Sequence, residues 1–252
     1  MNMYEWDDIL IIGDSFASFR ARPDHWPMAL TLKLTAETYK EHDQKLPRGY
    51  GYPGASWWST RKKLLSEIDI RIPKILIICH TESDRIPSDY DYGLNIGSVA
   101  DEKLLTIPKD DRGSYDRAVI LAADQYYKHL FSSSYHQWAF EQWFTELDTI
   151  VSEKNIEKVI HMHSFPAKTP GKPGRSKILP KVFNNGITSA EILFNVVLEK
   201  YNFADVMSPT GGFVNHFRLA ENISIADALY DTIINFTPEQ NGTIQNLNLL
   251  QQ

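Results

Sequence analysis

The sequence predicts an α/β fold built on a doubly wound parallel sheet, and three observations support this. Short apolar runs bounded by polar residues recur along the chain, as expected for parallel strands that are covered on both faces. Amphipathic helical patterns separate these runs, and alternating strands and helices are typical of a parallel sheet. The chain has 252 residues, 42% of them hydrophobic, which is enough for one large domain with its own core.

The predicted elements follow from these patterns. The apolar runs are residues 9–12, 75–79, 158–162 and, more weakly, 203–207, and another strand is predicted near residues 50–52. The predicted helices are residues 26–42, 56–68, 114–130, 135–153, 188–201 and 218–234. A capping box of Thr188 and Glu191 opens the fifth helix. The sixth shows helical spacing of Leu219, Ile223, Ala226, Leu229 and Ile233.

We expect residues 1–236 to form a single domain and residues 237–252 to form a polar C-terminal tail. The formal net charge of −6 argues against nucleic-acid binding, which needs a basic surface. The single cysteine, Cys79, excludes an internal disulfide framework. The N-terminal residues lack the pattern of a signal peptide, and no apolar run is long enough to span a membrane. These features predict a protein that is cytoplasmic as synthesised and has no membrane partner.

The first predicted strand runs into the sequence GDSF, with Ser15 as its serine. A strand followed by Gly-Asp-Ser and a helix puts this serine at the carboxyl edge of the sheet, where open α/β folds bind ligands. Its backbone N–H would lie near a helix start, where an anion is stabilised. Ser15 is therefore a candidate nucleophile. The alternative is that Asp14 and Ser15 only cap the next helix.

The predicted strand at residues 75–79 also ends in polar residues. They include His80, Thr81 and Glu82, which are candidates for contact with a substrate. The alternative is an ordinary loop held by an ion pair between Asp84 and Arg85.

Two other segments carry candidate groups. The turn YPGAS precedes a predicted helix, and the free N–H groups at Gly54 would donate to an oxyanion. His216 stands just before the last predicted helix, after a glycine-rich turn. Its ordinary pKa of about 6.5 suits a general base near neutral pH. The alternative for His216 is a structural histidine.

Together these segments resemble the SGNH (GDSL-like) hydrolase family over most of the chain. GDS matches the first block with Ser15 as nucleophile, YPGAS matches the second with Gly54 at the oxyanion site, and NHF matches the last with His216 as base. The resemblance implies a three-layer α/β/α flavodoxin-like fold with a central parallel sheet. It also implies a serine esterase or carbohydrate deacetylase that works through an acyl-enzyme, without a cofactor or a metal.

The chain departs from the family in two blocks. Glu82 stands where the third block usually has an oxyanion-binding Asn, and Phe213 stands where the triad acid usually precedes the histidine. Glu82 or Asp205 would replace the acid, with His80 as another polar candidate. Thr81 or His80 would assist the oxyanion. A triad without its acid leaves the tautomer of the histidine unrestrained.

These departures keep a second interpretation open, a non-catalytic binding or virion structural protein on the same fold. Trp57 and Trp58, beside the Gly54 turn, would then stack against sugars, or one of them would pack inward. The stretch HTESDRIP is similar to SGNH-like proteins encoded by tailed bacteriophages. Expected partners are an ester or acetylated glycan, other virion proteins, or a second copy of the chain.

A third interpretation is a metal-dependent hydrolase. His161 and His163 alternate at the end of a predicted strand, so both would face one side of the sheet. With His80 and Asp14 they would form a set of imidazole and carboxylate ligands, although the expected ligand spacing is missing.

Residues 165–181 are rich in proline and basic residues, and they follow a predicted strand. We expect them to form either a flap that contacts an anionic glycan or a partner, or a solvated loop.

Overall fold

The computed structural model describes residues 4–17, 24–38, 46–49, 51, 55–87, 117–165, 183–193, 196, 217 and 219–249. Within them, five parallel strands form one sheet and are adjacent in chain order. They are β1 (Ile9–Gly13), β2 (Ile75–His80), β3 (Lys158–His163), β4 (Ile187–Ile192) and β5 (Thr243–Gln245).

A sixth segment lies along the free edge of β1. Arg48 bridges Leu10 and Gly51 bridges Gly13, both in parallel. β2 pairs with the other edge of β1. The segment that follows β1 in the chain therefore lies on one side of β1, and the next strand lies on the opposite side. This change of direction is a topological switch point, and in open α/β sheets ligands bind beside it, at the carboxyl ends of the strands. Residues 50 and 52 of the predicted strand lie outside the described residues.

Helices cover both faces of the sheet. The described helices are α1 (Trp26–Thr35), α2 (Trp57–Ile70), α3 (Arg117–His129), α4 (Ser133–Glu153) and α5 (Leu219–Ile234). One face packs against α1 and α5, and the other packs against α2 and α4. The fold is therefore the predicted three-layer α/β/α flavodoxin-like arrangement. None of the described helices is long and apolar enough to cross a lipid bilayer.

The strands form because their side chains alternate between two buried layers. In β1, Ile9 and Ile11 pack on the side of α1 and α5, whereas Leu10 and Ile12 pack on the side of α2 and α4. All four side chains are fully buried. A continuous apolar run is the pattern expected of a central parallel strand with helices on both faces.

The predicted helix at residues 188–201 is wrong in its first part. Residues 187–192 instead form β4, which pairs with β3 on one side and β5 on the other. Thr188 and Ser189 are buried in the sheet. The capping-box pattern was a local signal, and backbone pairing with two neighbouring strands prevailed over it.

Residues 237–252 were predicted to form a polar tail, but part of this segment belongs to the folded domain. Thr243–Gln245 adds β5 to the sheet, and Leu247 and Leu249 are buried in the core beside α1 and α5.

The predicted helix at residues 26–42 ends earlier than expected. Its last helical residue is Thr35, and Ala36 follows in the left-handed region with φ 53°. The predicted strand at 203–207 lies outside the described residues.

Candidate active site at the carboxyl edge of the sheet

Ser15 lies in the turn that follows β1. The turn begins at Gly13, which has φ +145°, and a Cβ there would lie 2.4 Å from the carbonyl oxygen of Cys79 on β2. Only glycine therefore allows β1 to end in this way. The side chain of Asp14 accepts the N–H of Phe16 at 3.0 Å and so holds the turn. Ser15 itself is partly exposed at the carboxyl edge.

Asp14 is fully buried beneath this turn. Its Oδ1 atom also accepts the hydroxyl of Ser164 at 2.8 Å, whereas its Oδ2 atom has no hydrogen-bond partner. Burial raises the pKa of Asp14 to about 6, although the positive charge of Arg85 acts in the opposite direction. Asp14 is thus a structural acid of the turn, and its contacts join the end of β1 to the residue after β3.

Glu82 forms a buried ion pair with Arg85, with 3.1 Å between Oε2 and Nε. Arg85 also donates to the carbonyl oxygen of Ala55 at 3.1 Å, and its guanidinium lies 5.0 Å from the ring centroid of Phe165. Arg85 therefore offsets the negative charge of Glu82. The sequence suggested an ion pair between Arg85 and Asp84 in this loop, but Arg85 pairs with Glu82.

Thr81 directly follows the end of β2, the strand that pairs with β1. Gly13 of β1 pairs with Cys79 of β2. Ser15 comes two residues after Gly13, and Thr81 comes two residues after Cys79. Neighbouring strands are about 4.8 Å apart. Thr81 is only 4% exposed, and its Oγ1 makes no hydrogen bond. A buried hydroxyl without a partner is costly unless a ligand or water completes it.

His80, His161 and His163 form a buried cluster on the face covered by α2 and α4. His161 Nε2 lies 3.1 Å from the carbonyl oxygen of Asn185 and must donate to it. His161 Nδ1 is then an acceptor, so the Nε2–H of His80 donates to it at 3.1 Å. The ring of Phe183 stacks on His161, with 3.6 Å between centroids. His80 is therefore engaged with the core.

Burial keeps all three imidazoles neutral. It lowers the pKa of His161 to about 3 and that of His163 to about 4, and it holds the pKa of His80 well below its ordinary value. Among the described residues, no group of three or more His, Cys, Asp or Glu side chains is arranged to hold a metal ion. The histidines that suggested a metal site instead pack against one another and against aromatic rings.

The two tryptophans after the Gly54 turn differ in exposure. Trp57 packs inward against Phe140 of α4, with 6.5 Å between ring centroids. Trp58 is 37% exposed, and the guanidinium of Arg61 lies 4.9 Å from its ring centroid. Trp58 is thus the more exposed of the two tryptophans, and Trp57 is only partly exposed.

A buried aromatic contact joins the two ends of the candidate site. Phe16, the residue after Ser15, packs edge to face against Phe217 with 5.4 Å between ring centroids. Phe165 packs against the other side of Phe16 at 5.5 Å. Phe16 and Phe217 are each 1% exposed. The Ser15 turn and the chain just before α5 are therefore neighbours.

Comparison with known protein families, curated proteins and solved structures finds no match to this chain. The candidate site consequently rests on the geometry of its own residues. Four residues named from the sequence lie outside the described residues, and they are Gly54, Asp205, Phe213 and His216. Residues 166–181 of the basic segment lie outside them as well.

Two residues of the site were missed in the sequence. Trp26 donates its indole N–H to the carbonyl oxygen of Phe16 at 2.7 Å, and its backbone N–H donates to Asn222 Oδ1 at 3.0 Å. Asn222 in turn donates to the carbonyl oxygen of Phe217 at 3.3 Å. A signal was present, because Asn222 precedes Ile225, Ala226 and Leu229 at the spacing of a buried helical stripe.

Proposed function

We propose that the chain is a serine esterase or carbohydrate deacetylase of the SGNH type, with Ser15 as nucleophile and His216 as general base. One observation carries the proposal: the residue after Ser15 packs against the residue after His216, with 5.4 Å between the two rings. His216 is the residue before Phe217 in the sequence, and this contact therefore supports pairing it with Ser15. A serine paired with a histidine at the carboxyl edge of a parallel sheet would be suited to acyl transfer.

The proposed reaction follows from these groups. Ser15 Oγ attacks the acyl carbon of an ester while His216 accepts the serine proton, and the same proton then passes to the departing alcohol. Water, activated by His216, attacks the acyl-enzyme and releases the acid and free Ser15. The developing oxyanion would accept hydrogen bonds from the N–H groups of Ser15 and Gly54 and from the unpartnered hydroxyl of Thr81.

The identity of the acid that orients His216 is part of the proposal. Glu82 is already paired with Arg85 through Oε2. Asp205 is the other candidate. Loss of the orienting acid lowers kcat about ten-thousandfold in an enzyme built on such a triad. If Asp205 orients His216, the variant Asp205→Asn should therefore hydrolyse p-nitrophenyl acetate far more slowly than the wild type.

The test is hydrolysis of p-nitrophenyl acetate and of acetylated oligosaccharides by purified protein. Ser15→Ala and His216→Ala should each lower kcat by about a thousandfold or more, because either change removes the acyl-transfer pair. Ser66→Ala and His129→Ala are matched controls, since both side chains are exposed and lie on α2 and α3. Full activity in Ser15→Ala would exclude the proposed nucleophile.

A second candidate function is glycan binding without catalysis, including a role in a virion. The observation that favours it is the exposed ring of Trp58 in the first turn of α2. An aromatic ring presents the flat apolar face that sugars stack on. A folded but inactive wild-type protein that binds oligosaccharides, and loses binding in Trp58→Ala, would support this function over the esterase.

A further inference from the structure

Asn222 lies in the first turns of α5 and is 1% exposed. A buried amide needs partners for both its oxygen and its nitrogen. Here the oxygen accepts the backbone N–H of Trp26 at 3.0 Å, and the nitrogen donates to the carbonyl oxygen of Phe217 at 3.3 Å. One side chain therefore joins the start of α1 to the segment just before α5.

The network continues to the Ser15 turn. The indole N–H of Trp26 donates to the carbonyl oxygen of Phe16 at 2.7 Å. Trp26 is fully buried, so its ring is held by packing as well as by this bond. Phe16 and Phe217 are thus joined twice, through their rings and through the bonds of Trp26 and Asn222.

The arrangement is specific to asparagine. Its amide combines an acceptor and a donor on one short planar group, and both are used here. Aspartate would keep the acceptor but lose the donor and add a buried charge, and glutamine would be longer by one methylene in a packed site. Alanine would leave the N–H of Trp26 and the carbonyl of Phe217 without these partners.

We propose that Asn222 is a positioning residue that holds the Ser15 turn in place against Phe217, the residue that follows the proposed base His216 in the sequence. The proposal rests on the proposed esterase function, because it concerns the same serine and histidine. Asn222 acts through the backbone of Phe217, to which His216 is directly bonded, and Trp26 fixes the backbone of Phe16 on the other side. A displacement of about 1 Å between reacting groups costs about a hundredfold in rate, so this clamp would control kcat.

The first test compares the kinetics of Asn222→Ala with those of the wild type. We expect kcat to fall about a hundredfold with KM changed by less than about threefold, because the substrate-binding surface stays while the alignment is lost. Trp26→Phe keeps an aromatic ring but lacks the indole N–H, and it should lower kcat in the same way. This variant replaces Asn222→Ala in the test if Asn222→Ala does not fold. Asn235→Ala is the control, since Asn235 is exposed at the end of α5 and donates to the carbonyl of Asp231.

The second test does not depend on activity. Proton NMR should show nuclear Overhauser contacts between the rings of Phe16 and Phe217 in the wild type, with Phe217→Leu used for assignment, and these contacts should be lost in Asn222→Ala. If the wild type is inactive yet shows contacts that Asn222→Ala loses, the esterase function fails and the positioning role stands.

Two results would overturn the positioning role. One is the absence of these contacts in the wild type. The other is an active wild type, inactivated by Ser15→Ala, in which Asn222→Ala keeps kcat within about twofold.

Discussion

The hydroxyl of Thr81 is the residue-scale feature that most directly suggests a ligand. It is buried at the carboxyl edge, directly after β2, and it has no hydrogen-bond partner. Most buried hydroxyl groups in folded proteins are paired, and exceptions often mark functional sites. The proposed role as oxyanion donor would give this hydroxyl a partner during the reaction.

Replacement of this hydroxyl gives a prediction at the same scale. Thr81→Val keeps the side-chain shape and removes the donor, so kcat for p-nitrophenyl acetate should fall about a hundredfold or more. The free energy of unfolding should stay the same or rise, because an unpartnered polar atom leaves the core. Thr81→Ser, which keeps a hydroxyl, should retain most of the activity. Equal activity in the valine and serine variants would remove Thr81 from the oxyanion site.

At the scale of elements, the end of β1 decides where Ser15 lies. Gly13 lets the strand pass close to Cys79 and then turn, and the side chain of Asp14 holds that turn. The polar contacts of Asp14 and Ser164 tie the end of β1 to the chain after β3. Ser15, the proposed nucleophile, thus follows directly from regular elements, which would favour a defined geometry for catalysis.

A variant of Gly13 tests this account of the strand end. Gly13→Ala should lower the free energy of unfolding by about 3 kcal/mol, because φ +145° is strained for alanine and the new Cβ would meet the Cys79 carbonyl. Gly242→Ala is the comparison, since Gly242 also has a positive φ, of 75°, but lies in a partly exposed turn. It should cost about 1 kcal/mol. Equal losses in urea unfolding would contradict the role of the close approach to β2.

The sequence predicted only part of the packing between the sheet and α4. The alternation of His161 and His163 was read correctly as one face of a strand, and both do lie on the face that α4 covers. Their partners were not predictable, because Phe144, Phe183 and Asn185 come from distant parts of the chain. The same limit hid the network of Trp26 and Asn222.

At the scale of the whole molecule, the buried histidines make stability depend on pH. Their pKa values are lowered in the folded state, so the unfolded chain binds protons first as the pH falls below about 6.5. Their contribution to stability is complete above that pH and is lost as the pH falls towards about 4 for His163 and about 3 for His161. Asp14 acts in the opposite direction, because its raised pKa makes its contribution fall as the pH rises through about 6.

The variant His163→Leu isolates one of these groups. Between pH 7.5 and pH 5 the wild type should lose about 2 kcal/mol more unfolding free energy than the variant, since His163 stays neutral in the fold while the unfolded chain is protonated. Denaturant unfolding at the two pH values measures the difference, and the contribution of Asp14 cancels in the comparison. His129→Gln, at an exposed position, should follow the wild type. Parallel losses in wild type and His163→Leu would show that His163 is protonated in the fold.

The sequence by itself determined the parts of the fold that depend on local pattern. Apolar runs predicted β1, β2 and β3 to within a residue or two, because strands covered on both faces need continuous apolar side chains. The sequence GDS at the end of β1 predicted a serine at the carboxyl edge of the sheet, where Ser15 lies. Helical periodicity predicted α2, α4 and α5, since one face of each must be buried.

Only the tertiary structure decided the features that depend on distant partners. Residues 187–192 form β4 rather than a helix because β3 and β5 lie on either side of them. In α5 the buried stripe includes Asn222, whereas Leu219, expected inside, is 60% exposed. Arg85 pairs with Glu82, whereas the sequence suggested Asp84 as its partner. In each case the free energy of burial and pairing depends on which segments meet, and local sequence carries little information about that.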